Sequence, residues 1–162
     1  MSVEESSTIQ DAQSDALRPI HTYHCLCTSV VLATTHELET LPHRASPVQD
    51  NALILAPPVE VTVSDDELRQ NVKPASSFLV NTVSDRRPVI VRREDGFEKR
   101  LLLRCGRCRL VLGYKLDEAH FEKSAPEASP VYLLPGGMLS TNDMASKRSA
   151  PVPAWAERIG VD

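Results

Sequence analysis

Aromatic side chains are scarce in this sequence: 162 residues hold one Trp, three Tyr and three Phe, or 4%. A core built on large rings is therefore excluded. Glycine is also sparse, at 6, while proline numbers 12, so much of the chain reads as loop or tail. No apolar run approaches the roughly 20 residues that span a bilayer, which excludes a transmembrane helix. Met1 to Asp15 is polar and acidic with no apolar stretch, which excludes a secretory signal. A basic excess is missing as well. Lys plus Arg is 18 against 22 for Asp plus Glu, a net charge of −4. A uniformly basic nucleic-acid binder is thus ruled out, whereas a local basic patch is not. The motifs of common catalytic sites are absent: there is no G-x-S-x-G, no Gly-rich phosphate loop and no H-E-x-x-H. His36, His43 and His120 are scattered in polar contexts that suit surface or capping roles. Glu37 and Glu39 share a helical turn with no partner carboxylate nearby. The expectation is a non-catalytic protein with no small-molecule substrate, cytoplasmic or nuclear, and not secreted.

What is present is unevenly placed. Residues 1–17 carry Glu4, Glu5, Asp11 and Asp15 and no Lys or Arg. Residues 86–109 hold nine of the 18 basic side chains against Glu94, Asp95 and Glu98, a local balance of +6. The chain divides into a disordered acidic tail (1–19), a β domain (20–142) with a loop insertion at 43–85, and a flexible C-terminal tail (143–162). Short strands are predicted at Thr22–Leu26 and Ser29–Ala33. Thr34-Thr35-His36-Glu37 matches a capping box, predicting a helical turn that Pro42 stops. Ser64-Asp65-Asp66-Glu67 predicts one further turn of helix, to about Val72. Pro88–Arg93 and Phe97–Arg104 form a hairpin about Asp95-Gly96. Alternation places Phe97, Lys99, Leu101, Leu103 and Cys105 on one face of its second strand, and Glu98, Arg100, Leu102 and Arg104 on the other. Leu110–Tyr114 is another strand, and Val131–Leu134 with Met138–Ser140 a last hairpin about Pro135-Gly136-Gly137. The fold class is mainly β, a small antiparallel sheet around one metal site, of zinc-ribbon or β-tent type.

All four cysteines fall in two close pairs, Cys25-Leu26-Cys27 and Cys105-Gly106-Arg107-Cys108, separated by 77 residues. In a reducing compartment such pairs read as metal ligands rather than disulfides. The second has knuckle spacing: two intervening residues let both thiolates reach one ion, and Gly106 permits a turn other residues resist. The first is one residue short of that spacing, but strand residues two apart point the same way, so both thiolates can still converge. The reading is one structural zinc held by Cys25, Cys27, Cys105 and Cys108. His21 and His24 are rival donors, and a redox pair at Cys105 and Cys108 is the other alternative. Four thiolates around Zn²⁺ carry a formal charge of −2, which Arg104, Arg107 and Arg109 would offset.

These same residues resemble a known family. His21-Thr22-Tyr23-His24-Cys25-Leu26-Cys27 matches an H-x-Y-x-C-L-C start, and Leu38-Glu39-Thr40-Leu41-Pro42 an L-x-x-L-P element. Arg92-Arg93-Glu94-Asp95-Gly96 looks like an R-R-x-x-G turn, and Arg104 to Leu110 like a basic C-x-x-C-x-L knuckle. The pattern is similar to the STING ER exit protein family, over roughly residues 20–140. The resemblance implies a short form of the family, without its long charged helical C-terminal extension, and with a longer 43–85 segment. It implies an adaptor at the endoplasmic reticulum membrane that acts in membrane curvature and COPII-dependent ER-to-Golgi transport, with ER-exit cargo or coat components as protein partners. The family's nuclear and spliceosome links give the alternative, an RNA-processing factor.

Two further surfaces follow from the residues alone. Arg92, Arg93, Arg100 and Arg104 make the basic hairpin a candidate anion-binding or partner-binding face, for RNA or anionic lipid. Near the C-terminus, Pro153 precedes Trp155 and Ile159, which are four apart, and Gly160 follows. One or two helical turns there would put Trp155 and Ile159 on one face as a docking segment for a partner groove.

Overall fold

The computed structural model describes residues 18–45, 48, 50–58, 77–117 and 129–146. The chain is mainly β, and every strand pairing is antiparallel. The strands are β1 (His21–Cys25), β2 (Val30–Thr34), β3 (Leu53–Leu55), β4 (Ser77–Leu79) and β5 (Thr82–Ser84), then β6 (Val89–Arg93), β7 (Gly96–Cys105), β8 (Val111–Leu116), β9 (Val131–Leu133) and β10 (Met138–Ser140). They form two sheets in place of the single small sheet expected. One has four strands in the order β10-β1-β2-β4. The other has six: β3-β9-β8-β7-β5, with β6 also paired to β7.

The sheets share one core. Tyr23 and Leu32 from the four-stranded sheet pack with Leu53, Leu55, Leu103, Val131 and Leu133 from the six-stranded one. Leu38 and Leu41, around a 3-10 turn at Leu38–Thr40, close its edge. The Tyr23 hydroxyl is satisfied in this core by the Leu38 N–H, at 3.0 Å. A second cluster, Ala52, Tyr114 and Leu116 with Leu102 and Tyr132 against it, includes the other face of the six-stranded sheet. Gly113 in β8 leaves room for β9: a Cβ there would collide with the Tyr132 carbonyl.

Several local expectations change. Thr34 does not cap a helix. It ends β2, is buried, shares a hydrogen bond with the Ser77 hydroxyl at 2.7 Å, and accepts the His36 N–H at 3.1 Å. The 3-10 turn starts after Glu37, with no side-chain cap. The 43–85 segment is not simply a surface insertion, because β3, β4 and β5 lie within it and each pairs with another part of the chain. The helical turn expected at Ser64 lies outside the described residues. In the basic hairpin, Arg93 pairs with Gly96, so the two-residue turn is Glu94-Asp95 and Gly96, at φ 141, begins β7. Val131–Ser140 is not a hairpin. β9 joins the six-stranded sheet and β10 pairs with β1 in the other, so the Pro135-Gly136-Gly137 turn carries the chain between sheets. Helix α1 (Thr141–Ala145) stands where the sequence suggests tail. Ser140 caps it, its hydroxyl accepting the Asp143 N–H at 3.1 Å.

The largest correction concerns β7. Its second half buries Leu103 and Cys105 of one face, but in its first half the other face, which carries the proposed anion-binding Arg100, is the buried one. Phe97 is 69% exposed, while Glu98 and Arg100 are buried. The cause is a cage of charges and rings on the far face. Arg44 holds both Glu98 carboxylate oxygens, at 2.8 and 2.9 Å. Arg100 Nε donates to Glu98 at 2.6 Å and Arg93 donates to its other oxygen. Arg100 also pairs with Asp50 at 2.9 Å, and the Tyr114 hydroxyl donates to Asp50 at 2.6 Å. The guanidinium of Arg100 lies 3.9 Å from the Tyr114 ring centre, and that of Arg44 lies 4.6 Å from Tyr132. With its hydrogen-bonding capacity filled, Glu98 can be buried as a carboxylate.

Candidate metal centre

Each cysteine pair sits at a tight turn between consecutive strands. In the first, Cys25 N–H donates to Ser29 C=O and Thr28 N–H to Cys25 C=O, both at 2.8 Å. In the second, Cys105 N–H donates to Leu110 C=O at 2.9 Å and Arg109 N–H to Cys105 C=O at 3.0 Å. The residue after the second cysteine is left-handed in both, Thr28 at φ 73 and Arg109 at φ 65. The two turns are thus the same device with loops one residue different in length. That answers the short spacing of Cys25-x-Cys27: the shorter loop still closes and turns both side chains to one side.

The topology brings the turns together. β1 and β2 belong to one sheet and β7 and β8 to the other, so the centre straddles both sheets. Cys25 Sγ lies 3.5 Å from Cys108 Sγ, and Cys27 Sγ lies 3.7 Å from Cys105 Sγ. All four sulfurs lie within 4.8 Å of one another. A tetrahedral thiolate site with metal–sulfur bonds near 2.3 Å has sulfur–sulfur edges of about 3.8 Å. The group fits a four-coordinate ion, and the separations are far too long for disulfides, which need about 2.05 Å. Cys25 and Cys105 are buried, Cys27 half-buried and Cys108 exposed.

Backbone donors point at the sulfurs. Burial raises the Cys105 thiol, but the N–H groups of Cys108 and Arg107 and the neighbouring sulfurs outweigh it and bring it down to about 7. Burial pushes the Cys25 thiol well up, against one N–H, from Cys27. Cys108, though exposed at the surface, is raised too, by partial desolvation and by the Cys27 and Cys105 sulfurs, against the Leu110 N–H. Backbone N–H groups aimed at the sulfurs thus offset part of the burial that opposes ionisation. Of the rival donors, His24 is engaged elsewhere. The ring nitrogens of His24 contact the Thr28 carbonyl at 3.1 Å and the Thr141 hydroxyl at 3.0 Å. His21 is not among the residues that converge.

Asn81, which sequence reasoning missed, and Arg107 tie the turns to each other. Asn81, left-handed at φ 49, accepts the Gly106 N–H on its carbonyl at 2.6 Å, and its side-chain amide donates to Val30 C=O at 3.3 Å. It links the knuckle in one sheet to the strand that leaves the knuckle in the other. Gly106 has no left-handed φ. Its role is to let the Asn81 carbonyl approach, since a Cβ would lie 2.8 Å from that oxygen. Arg107 completes the bridge by donating to Cys27 C=O at 3.1 Å. The available signal was an Asn between two short β-rich runs, because Asn tolerates left-handed backbone.

The arginines proposed as an anion face are not equivalent. Arg93 and Arg100 are pinned by Glu98, Asp95 and Asp50, and Arg104 holds both oxygens of Asp85 at 3.0 Å. Their charge is offset inside the fold. Arg92 is exposed and has no carboxylate partner among the described residues. Trp155 and Ile159 lie outside the described residues.

An antiparallel β domain whose two sheets are joined by four converging thiols defines a small, cysteine-clamped β module. Among the described residues, no helix is long and apolar enough to cross a membrane. The family model of the STEEP1 domain matches residues 14–148, and the chain belongs to that family, that of the STING ER exit proteins.

Proposed function

We propose that this chain is a non-catalytic, zinc-stabilised adaptor that works at the endoplasmic reticulum in COPII-dependent ER-to-Golgi transport. The observation that carries it is the convergence of four thiols between two sheets within a STEEP1 domain. Zinc suits a site of this kind because four thiolates complete its coordination without redox chemistry. Cys25, Cys27, Cys105 and Cys108 would hold it, and no position would remain open for water or substrate. The ion then fixes a binding surface and takes no part in a reaction. The alternative, a nuclear factor that reads RNA with the basic hairpin, is weakened by the carboxylates that already occupy Arg93, Arg100 and Arg104. Purified protein is expected to carry one zinc per chain by elemental analysis, and Cys105→Ser to lose it. Affinity purification from cells is expected to recover ER-exit or coat components with the wild type and not with Cys105→Ser. Recovery of spliceosomal components alone would move the reading to the nucleus, and protein free of zinc would remove the structural premise.

A further inference from the structure

The cations that remain free on the hairpin are placed in a pattern. On strands β6 and β7, Arg92 and Lys99 are exposed and have no carboxylate partner among the described residues. The β6–β7 register sets Arg92 opposite Phe97 and Ile90 opposite Lys99. Directly paired residues project from the same face of an antiparallel sheet, so all four stand on one face. Phe97 and Ile90 are diagonal neighbours there, and so are Arg92 and Lys99. Phe97 is 69% and Ile90 65% exposed. The same face continues inward through Leu101, which is opposite Lys115 on β8, to Leu103, which is buried in the core shared with the four-stranded sheet. The hairpin thus extends the core-packing face of β7 beyond the sheet that covers it. Its paired arginines, Arg93 and Arg100, are on the opposite face with Glu98.

We propose that this face is a contact surface for an anionic membrane, with Phe97 and Ile90 entering the interfacial layer and Arg92 and Lys99 meeting lipid headgroups. Charge complementarity and chemistry select this occupant. Large apolar side chains interleaved with unpaired cations match an interface that is apolar below and anionic above. Single-stranded RNA fits less well. Its platforms stack two or three bases on aromatic rings, and this face offers one ring beside an aliphatic side chain. The proposal deepens the adaptor reading by naming the surface that would hold the protein at a membrane. It is tested with purified protein alone, so it can fail while that reading stands.

The test is co-sedimentation of the zinc-loaded full chain with vesicles of phosphatidylcholine, either alone or mixed with phosphatidylserine. The wild type is expected to bind the mixed vesicles and not the neutral ones, and added salt to weaken binding. Ile90→Ser with Phe97→Ser should weaken binding about tenfold or more, with every cation still in place. Arg92→Glu with Lys99→Glu should do the same. All four positions are exposed, so zinc content and thermal melting should match the wild type. Failure of the wild type to bind mixed vesicles would overturn the proposal. So would binding that the serine variant leaves unchanged, since that is adsorption by net charge alone. A wild type that ignores vesicles but binds a single-stranded RNA oligonucleotide in a Phe97-dependent way would make the face an RNA platform instead.

Discussion

Gly106 and Asn81 carry a contact that decides how close the two cysteine turns can come. Gly106→Ala would place its Cβ 2.8 Å from the Asn81 carbonyl oxygen. That oxygen belongs to the backbone and already accepts the Gly106 N–H, so neither partner can retreat without opening the clamp. The expected cost is about 1–3 kcal/mol of stability, with faster zinc release to a chromogenic chelator. Asn81→Gly keeps the left-handed backbone and loses only the side-chain bond to Val30, so it should cost less than Asn81→Ala, which loses both. Urea denaturation of the three variants checks the order, and a Gly106→Ala protein as stable as wild type would break the argument. At this scale the cysteines were legible in the sequence because thiol chemistry and spacing are local properties. Asn81 was not, because its importance comes from a carbonyl and an amide that reach two different sheets. The reason for Gly106 was misread for the same cause: the constraint is a neighbour 25 positions away, not its own backbone angle.

β7 shows what an element can reveal from its own pattern and what it cannot. The hairpin with β6 was readable from the alternation and the Asp-Gly signal. The face it buries was not, because alternation fixes which residues share a face and not which face meets the core. Glu98 and Arg100 read as polar and therefore outward, yet Arg44 and Asp50, 54 and 50 positions earlier respectively, complete a cage that buries them. The strands β3, β4, β5, β9 and β10 are three residues each, too short to show a period, and their pairings are long-range. The cage predicts a pH dependence. Burial raises the Glu98 carboxyl, but Arg44 and Arg100 outweigh it and hold it at about 2. A carboxylate depressed on folding contributes stability that is present above its unfolded pKa of about 4.3 and is lost as pH falls toward the folded value. Glu98→Gln leaves three guanidinium groups without their shared charge and should cost about 3 kcal/mol at neutral pH. The gap between wild type and Glu98→Gln, read by urea denaturation in steps of pH, should begin to narrow below about 4.3 as the wild type loses the contribution. A gap that is constant down to pH 3 would mean the carboxylate charge is not what matters.

For the molecule as a whole, the two sheets are unequal in what holds them. The four-stranded sheet has short strands, and among the described residues its apolar contacts are those of the shared core and the cysteine cluster. The six-stranded sheet contributes to that core and also has a second one on its far face, around Tyr114, Leu116 and the Glu98 cage. The cysteine centre joins them across 77 residues of sequence, so an ion there restricts the unfolded chain as well as fixing the sheets in register. Removing such an ion would take away the clamp and leave the buried Cys25 sulfur to hold a proton in its place. The loss should therefore be graded through the molecule. Hydrogen exchange on the zinc-loaded protein, before and after a strong chelator, is expected to show the amides of β1, β2 and β10 losing protection first. Those of Glu98–Leu102 in β7 and Gly113–Leu116 in β8 should keep most of theirs, because their packing lies on the other side of the sheet. Restoring zinc should return the lost protection, since the turns that aim the sulfurs are closed by backbone hydrogen bonds of their own. If β8 exchanges as fast as β1 on chelation, the far-face core cannot stand without the metal, and the centre holds the entire fold rather than one sheet of it.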